Sequence, residues 1–477
     1  MHTLSRRRRT GILLICSLSL LIVSLDVTIL NVALPSIGHD LHATVSGLQW
    51  TVDAYTLVLA SLLMLSGSMG DRLGRRRVFL VGLGLFTAGS LLCSLAPNLG
   101  LLVLFRMLQA VGGSMLNPVA MSIVTNTFTD PKERAQALGI WAAVVGVSMA
   151  FGPLVGGALV DSVGWRSVFW INIPIGIAAI ILTTLFVPES RAPHARRVDP
   201  LGQVLVIVVL TALTYGIIET PNRGWHSPLI LTCAVVTVVG ATVLVRWEKR
   251  RDEPLIELRF FHSVPFAGAA VLAIAAFGAQ GGFLFLNTLY LQEVRGFSPI
   301  HAGLSLLPMA LMALVWPPVS GRIVGTRGSR IPLLISGIGS LAGFLMLSQL
   351  TATTSIWYVW ASYAVFGVGF GFVNAPITTA AVAGMPRAQA GVASAVASTS
   401  RQVGATLGVA VVGALAASGA AQHRGLRAGD LVSGWWVLVG AGAVILVVGQ
   451  LVSTPRARLS AERTARELNP EYLEGLS

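Results

Sequence analysis

Three side chains of this chain could do chemistry where water is scarce. Asp26 stands inside an apolar run from Gly11 to Pro35, in the string Leu25-Asp26-Val27-Thr28-Ile29-Leu30-Asn31-Val32-Ala33-Leu34-Pro35. Asp53 lies in the next apolar run, and Arg106 in the fourth, in Leu104-Phe105-Arg106-Met107-Leu108-Gln109. A run of about 25 residues rises about 37 Å as a helix, enough to cross a bilayer. An ionised group there costs roughly 2.5–3.5 kcal/mol on insertion scales, so each of the three needs a partner or a purpose. Proton exchange is the chemistry that an intramembrane acid suits, because neutralisation removes the cost of the charge. Counting about 1.5 Å per residue from the outer ends of the spans puts Arg106 about 9 Å deep, Asp53 about 8 Å and Asp26 about 14 Å. Either carboxylate meets Arg106 if their helices are neighbours. The competing readings are an arginine that snorkels to the headgroups and an Asp26 that only hydrogen-bonds to Thr28 or to a neighbouring span.

The elements that must position these groups are transmembrane helices. Of 477 residues, 54% are hydrophobic and 11% charged, against about 25% charged in a soluble chain. Fourteen apolar runs of spanning length follow one another, so the expected fold is an all-α membrane protein with fourteen transmembrane helices. The 33 Lys and Arg residues are unevenly spread. The termini and every second loop hold nearly all of them, beginning with Arg6 to Arg9 before the first span. The opposite loops hold only Arg166, Arg223, Arg295, Arg424 and Arg427, and Arg106 and Arg401 lie within spans. This bias predicts cytoplasmic termini in a plasma membrane. It also explains the net charge of +13 as orientation signal with some attraction to membrane lipids, so nucleic acid is not an expected partner. Ser5-Arg6-Arg7 loosely matches a twin-arginine signal, but the run behind it is too long for a signal core and further spans follow.

Other chemistries find no residues to carry them. Cys16, Cys93 and Cys233 lie in apolar runs and read as inert core thiols, without a disulfide framework or metal spacing. The only lysines, Lys132 and Lys249, do not follow glycine, so there is no phosphate-binding loop of a nucleotide-driven pump. The eight histidines are scattered through loops, with no nucleophile–base set. The expectation is a protein that is not an enzyme and needs neither metal nor cofactor.

Longer motifs narrow the reading. Gly67-Ser68-Met69-Gly70-Asp71-Arg72-Leu73-Gly74-Arg75-Arg76-Arg77 joins the second and third spans by a glycine-permitted turn, with an acid at one helix end facing bases at the start of the next. The string resembles the signature loop of the major facilitator superfamily, Gly-x-x-x-Asp-Arg-x-Gly-Arg-Arg. The resemblance makes Gly67, Asp71, Arg72, Gly74 and Arg75 a latch on one transport state. Leu104 to Gln109 resembles the fourth-span Arg-x-x-Gln motif of that superfamily, whose arginine is implicated in proton transfer. In the fifth span, Gly152 and Gly156 form a small-xxx-small face and Pro153 favours a bend. The full string Gly152-Pro153-Leu154-Val155-Gly156-Gly157 resembles the motif that marks antiporters in the superfamily. The first-span string and Trp165-Arg166-Ser167-Val168-Phe169-Trp170-Ile171-Asn172-Ile173-Pro174 resemble the fourteen-span drug:proton antiporter branch.

The second half echoes the first. Gly321-Arg322-Ile323-Val324-Gly325-Thr326-Arg327-Gly328 repeats the glycine spacing of Gly67 to Gly74, with Gly325 where the acid would be, and Arg387-Ala388-Gln389-Ala390 repeats Arg134-Ala135-Gln136-Ala137. These repeats predict two pseudo-symmetric six-helix bundles, residues 1–190 and 265–454, with two inserted helices and an interfacial helix in 191–264 and a cytoplasmic tail, disordered or a surface helix, in 455–477. The resemblance implies a substrate site between such halves. Its candidate lining is Asn31, Gln109, Glu219, Gln280, Asn287, Tyr290, Asn374 and Arg401, polar groups in apolar spans, although an interhelical hydrogen bond explains most of them equally well.

The expected function is proton-coupled export of lipophilic, often cationic drugs or antibiotics, with the proton gradient as the energy source and the protein acting as a monomer. A dedicated exporter of one endogenous metabolite, or a non-transporting receptor or scaffold, are the alternatives. The charge bias has a direct test. A green fluorescent protein fused after Ser477 will fluoresce, and Arg295→Cys will react with an impermeant maleimide added outside intact cells; the reverse pattern overturns the orientation.

Overall fold

The computed structural model describes residues 5–192, 199–251, 254–383, 385, 389–423 and 426–468. Among these residues, fourteen helices are long and apolar enough to cross a membrane. They are α1 (Arg6–Asp40), α2 (Val45–Leu73), α3 (Arg75–Ser94), α4 (Leu99–Thr127), α5 (Gln136–Val163), α6 (Ser167–Phe186), α7 (Pro200–Arg223), α8 (Pro228–Glu248), α9 (Val264–Val294), α10 (Pro299–Arg327), α11 (Arg330–Leu347), α12 (Ile356–Val382), α13 (Gly391–Ala420) and α14 (Ala428–Val452). A shorter helix, α15 (Pro455–Leu468), follows. No strand occurs among the described residues. Helix starts follow local chemistry: the Ser5, Thr44 and Asn98 side chains accept the backbone N–H of Arg8, Gly47 and Leu101, which satisfies donors that a helix leaves unpaired in its first turn.

The chain forms two compact units, Met1–Gln203 with Leu291–Ser305, and Val204–Tyr290 with Leu306–Ser477. Within the first unit α1 packs on α5 and α6, α2 on α4, and α3 on α4 and α6. Within the second, α9 packs on α13 and α14, the Leu307–Arg327 part of α10 on α12, and α11 on α12 and α14. Replacing each helix number in the first set by that number plus eight gives the second set, so the duplicated sequence signals correspond to duplicated packing. The grouping differs from the sequence division in two places. The inserted helices α7 and α8 group with the second unit, and Leu291–Ser305 groups with the first. α7 and α8 are weakly packed, with 22% and 6% of their apolar windows buried.

α9 is α-helical to Thr288 and then π-helical over Leu289–Val294. A π-turn accommodates one more residue than an α-turn and shifts the facing of everything after it. Close packing elsewhere depends on glycine. A Cβ on Gly112 of α4 would collide with the Phe86 backbone nitrogen of α3 and lie 2.6 Å from the Gly82 carbonyl oxygen. In the second unit the core is aromatic: Phe283 stacks with Phe366 at 4.9 Å and with Tyr363 at 5.3 Å, and Phe344 with Phe366 at 4.5 Å.

One expectation needs correction. The stretch after α8 carries no amphipathic α-helix among its described residues; it makes a short 3-10 turn, Leu258–His262, where Glu257 clamps Arg259. The tail is a helix as far as Leu468 and is docked, burying Ala457, Ala461 and Thr464 on one face. His2, His194, Arg424, residues 387 and 388 of the repeated Arg-Ala-Gln-Ala string and residues 469–477 of the tail lie outside the described residues.

The glycine contact is testable. Gly112→Val will cost about 1–3 kcal/mol through overpacking and lower the thermal midpoint of the purified protein, whereas Gly84→Ala, where a Cβ meets nothing within 4 Å, will leave the midpoint unchanged or raise it slightly.

Candidate functional site

Two deeply buried opposite charges centre one cluster in the first unit. Asp26 of α1 and Arg106 of α4 are 2% and 1% exposed. Arg106 Nη1 donates to Asp26 Oδ2 at 2.5 Å and to Gln109 Oε1 at 2.6 Å. Gln109 sits three residues on, on the same face of α4, and its Nε2 donates to Asp26 Oδ1 at 2.8 Å. Asn172 of α6 donates from Nδ2 to the same oxygen at 2.9 Å and to Ser90 Oγ of α3 at 3.0 Å. Ser90 Oγ donates to the Phe169 carbonyl. Arg106 Nε donates to the Thr51 carbonyl of α2 at 3.2 Å, and the guanidinium lies 4.2 Å from the centroid of the Tyr55 ring. Five helices thus meet at one ion pair. Each charge is balanced by the other and by directed donors, which is the condition for keeping such a pair in a dry interior. Snorkelling is ruled out for Arg106 by its burial.

Asp53 is the acid that the cluster leaves out. It is fully buried, but Thr51 and Tyr55, two residues to either side, are the α2 groups that meet Arg106. At about 100° per residue, Asp53 is therefore on the opposite flank of α2. Thr56 Oγ1 lies 3.5 Å from its Oδ1. Its Oδ2 has no hydrogen-bond partner, and no cation is within ion-pairing distance, among the described residues. Counting depth along the helices put both acids within reach of Arg106; rotation about the axis of α2 turns Asp53 away from it. Sequence reasoning missed Ser90, Thr51, Tyr55 and the role of Asn172. The only available signal was an asparagine in an otherwise apolar sixth span.

The signature loop is a second charged assembly. Arg75 pairs with Asp71 at 2.8 Å across the turn. α2 ends at Gly74, whose φ of 115° suits glycine and whose missing side chain leaves room for the Glu189 carboxylate. Glu189 accepts the Arg76 backbone N–H at 3.1 Å and lies 3.7 Å from Arg77 Nε. The backbone of the segment after α6 completes the clasp, Arg75 donating to the Ser190 carbonyl and Ala192 to the Asp71 carbonyl. Gly67 packs beside Pro118 of α4. At the N-terminal end Arg9 is ion-paired with Glu133, so one of the four leading arginines has a carboxylate partner.

The glycine string of α5 serves two faces. Gly152 meets Thr28 and Gly156 meets Ile29, both on α1, where added Cβ atoms would clash. A Cβ on Gly157 would lie 2.6 Å from Ile300 Cα, and Gly303 meets the Pro153 carbonyl. Asp161 accepts the Ile300 N–H at 3.0 Å, and Gln292 donates to the Val32 carbonyl at 2.8 Å. The string is thus the surface on which Leu291–Ser305 lies.

The remaining polar candidates are dispersed. Asn31 donates to the Val27 carbonyl of its own helix. Glu219 faces Arg223 at 3.6 Å at the end of α7. Asn287 accepts from Tyr363, and Tyr290 donates to the Thr351 carbonyl, both sealed in the second unit. Gln280 is half-buried and Asn374 exposed. Arg401 donates to Thr378 and Ser398 hydroxyls at 2.8 and 3.3 Å and lies over Phe277, with no carboxylate in ion-pairing range among the described residues.

Fourteen helices of spanning length, twelve of them in duplicated packing, with a buried ion pair in the first unit, are the architecture of a membrane transporter. The chain belongs to the Major Facilitator Superfamily, whose model matches residues 16–409. It is 37% identical over 406 residues, 85% of this chain and 75% of the relative, to the multidrug resistance protein Stp of Mycobacterium tuberculosis (strain CDC 1551 / Oshkosh). It is 37% identical over 441 residues, 90% and 79% of the two chains, to the tetracenomycin C resistance and export protein of Streptomyces glaucescens. The multidrug efflux pump LfrA of Mycolicibacterium smegmatis is 34% identical over 407 residues, 84% of this chain and 80% of that protein. Among solved structures, the peptide transporter POT in complex with sulfate shares the fold at a TM-score of 0.69 and 13% identity, over 94% of this chain and 95% of that chain. A bacterial homologue of the human lysosomal transporter Spinster does so at 0.63 and 18%, over 98% of each chain.

The ion pair has an energetic signature. Asp26→Ala will leave a buried guanidinium without its counter-charge and cost about 3–5 kcal/mol, seen as a lower thermal midpoint. Asp26→Ala combined with Arg106→Met will recover most of the loss, a coupling that two independent sites would not give.

Proposed function

We propose that this protein is a proton-coupled antiporter that exports lipophilic small molecules, drugs or antibiotics among them, by alternating access across the plasma membrane, with both termini in the cytoplasm and no cofactor. The observation that carries the reading is the Asp26–Arg106 ion pair. A carboxylate that shares its charge with one arginine exchanges a proton when that arginine moves away, so protonation and rearrangement of the helices are tied to one event. Asp53 takes part from the other flank of α2. The Asp71–Arg75 pair holds the signature loop in one state, and the glycine string of α5 keeps Leu291–Ser305 closed against α1 and α5. Gln280, Asn374 and Arg401 are the candidate substrate contacts best suited by their partial exposure. Cationic substrates are favoured because the acids are the excess buried charge of the first unit. The efflux names of the relatives support the direction of transport.

A second reading, export of one dedicated endogenous metabolite, is supported by one observation: a relative carries the name of a single antibiotic. A panel of unrelated dyes and antibiotics separates the two, since broad resistance on expression supports the multidrug reading.

In proteoliposomes with an imposed pH gradient, the purified protein will move ethidium and move protons in the opposite sense. Asp26→Asn, which keeps the side-chain shape, will reduce the pH-driven flux to that of empty vesicles while the protein stays folded and inserted. Unchanged pH-driven flux in Asp26→Asn ends the assignment, and ethidium-independent proton movement ends the antiport reading.

A further inference from the structure

A cavity of about 310 Å³ opens in the first unit beside the signature loop. Three cations stand around it from three separate segments: Arg72 at the end of α2, Arg77 at the start of α3 and Arg191 on the segment after α6. The Arg72 and Arg191 side chains make no hydrogen bond or ion pair with any described residue, and both residues are exposed. Arg77 is 71% exposed and reaches only Glu189, at 3.7 Å. The nearby acids are already engaged, Asp71 by Arg75 and Glu189 by the Arg76 N–H and Arg77. The cavity therefore has uncompensated positive charge that the loop's own carboxylates do not answer.

The rest of the wall is apolar. Met69, Val78, Val81 and Met115 line it, from α2, α3 and α4. Val78 and Val81 are three apart on α3, so they form one continuous ridge. Val81 is 54% exposed although it lies on a membrane-spanning helix, so the slot is open towards the acyl chains. At about 30 Å³ per water-sized group, the cavity holds roughly ten heavy groups, the size of a phosphodiester with the first methylenes attached. A free anion would satisfy the arginines and leave the wall bare; a neutral lipid would do the reverse.

We propose that this cavity is a binding site for a membrane phospholipid with an anionic headgroup. The phosphate and headgroup sit among Arg72, Arg77 and Arg191, whose planar donors match phosphate oxygens, and one acyl chain starts along Val81 and Met115. Bound there, the lipid ties α2, α3 and the segment after α6 together around the Asp71–Arg75 pair, so the anionic lipid content of the membrane acts on the signature loop.

The test is native mass spectrometry of the purified full-length protein in a non-ionic detergent, titrated with phosphatidylglycerol or phosphatidylcholine. Wild type will retain phosphatidylglycerol at least about tenfold more tightly than phosphatidylcholine, the difference expected of one charge-assisted contact. Arg191→Gln will lower phosphatidylglycerol affinity about tenfold and leave phosphatidylcholine unaffected. Val81→Trp, which fills the slot from an exposed position, will weaken both. Arg456→Gln on α15, a cation away from the cavity, will change neither, and inorganic phosphate will not compete. Equal retention of the two lipids by wild type, unchanged phosphatidylglycerol binding in both Arg191→Gln and Val81→Trp, or full displacement by inorganic phosphate each overturns the proposal, the last by making the site one for free anions only.

Discussion

Opposite charges placed in an apolar interior must be matched almost completely or not buried at all, and the first unit is arranged around that requirement. One ion pair, Asp26 with Arg106, draws donors from α4 and α6 that Ser90 of α3 braces as an acceptor, a carbonyl from α2 and the face of an aromatic ring. Five helices are thereby fixed in rotation as well as in position, because each must turn one chosen side chain inward. The same constraint separates the two acids. Asp26 is answered from all sides; Asp53, two residues from the groups that hold Arg106, has an oxygen with no partner among the described residues. A cluster of this kind is at once the tightest structural knot of the unit and the place where adding one proton alters the most contacts.

The duplicated packing makes the chemical asymmetry of the two units plain. Helix by helix the pairings repeat, so the fold itself does not distinguish the halves. The buried charge does. The second unit has an arginine, Arg401, held by hydroxyls and a ring instead of a carboxylate, and its centre is filled with Phe283, Tyr363 and Phe366. Its turn between α10 and α11 has Gly325 where the first unit has Asp71. One half thus concentrates ion pairs and the other concentrates aromatic packing on an equivalent scaffold.

Span number, helix class and the repeat were legible in the sequence because bilayer thickness forces long apolar runs, and these survive any detail of tertiary contact. The Arg106 position was legible as an anomaly, since an unmatched guanidinium at that depth is too costly to be incidental. Which acid answers it was not, because depth along a helix can be counted from a sequence but azimuth depends on neighbours. The partners Ser90 and Asn172 were equally hidden: serine and asparagine are common enough in spans that nothing singled them out. The grouping of Leu291–Ser305 with the first unit rests on tertiary contacts that no periodicity encodes, whereas the docked face of the tail, Ala457, Ala461 and Thr464, follows a helical spacing.

The π-turn at Leu289–Val294 has a consequence for how this chain can change over evolutionary time. Deleting one residue there would restore ordinary helical hydrogen bonding and leave α9 locally more regular. It would also turn the residues behind it in the helix by about 100°, carrying Gln292 away from the Val32 carbonyl. A single-residue deletion in a loop is absorbed by slack; here it would be felt up to Val294, where α9 ends. The chain length of this one turn is therefore held by the contact that Gln292 makes, and insertions or losses in lineages of this protein should fall on either side of it, not within it.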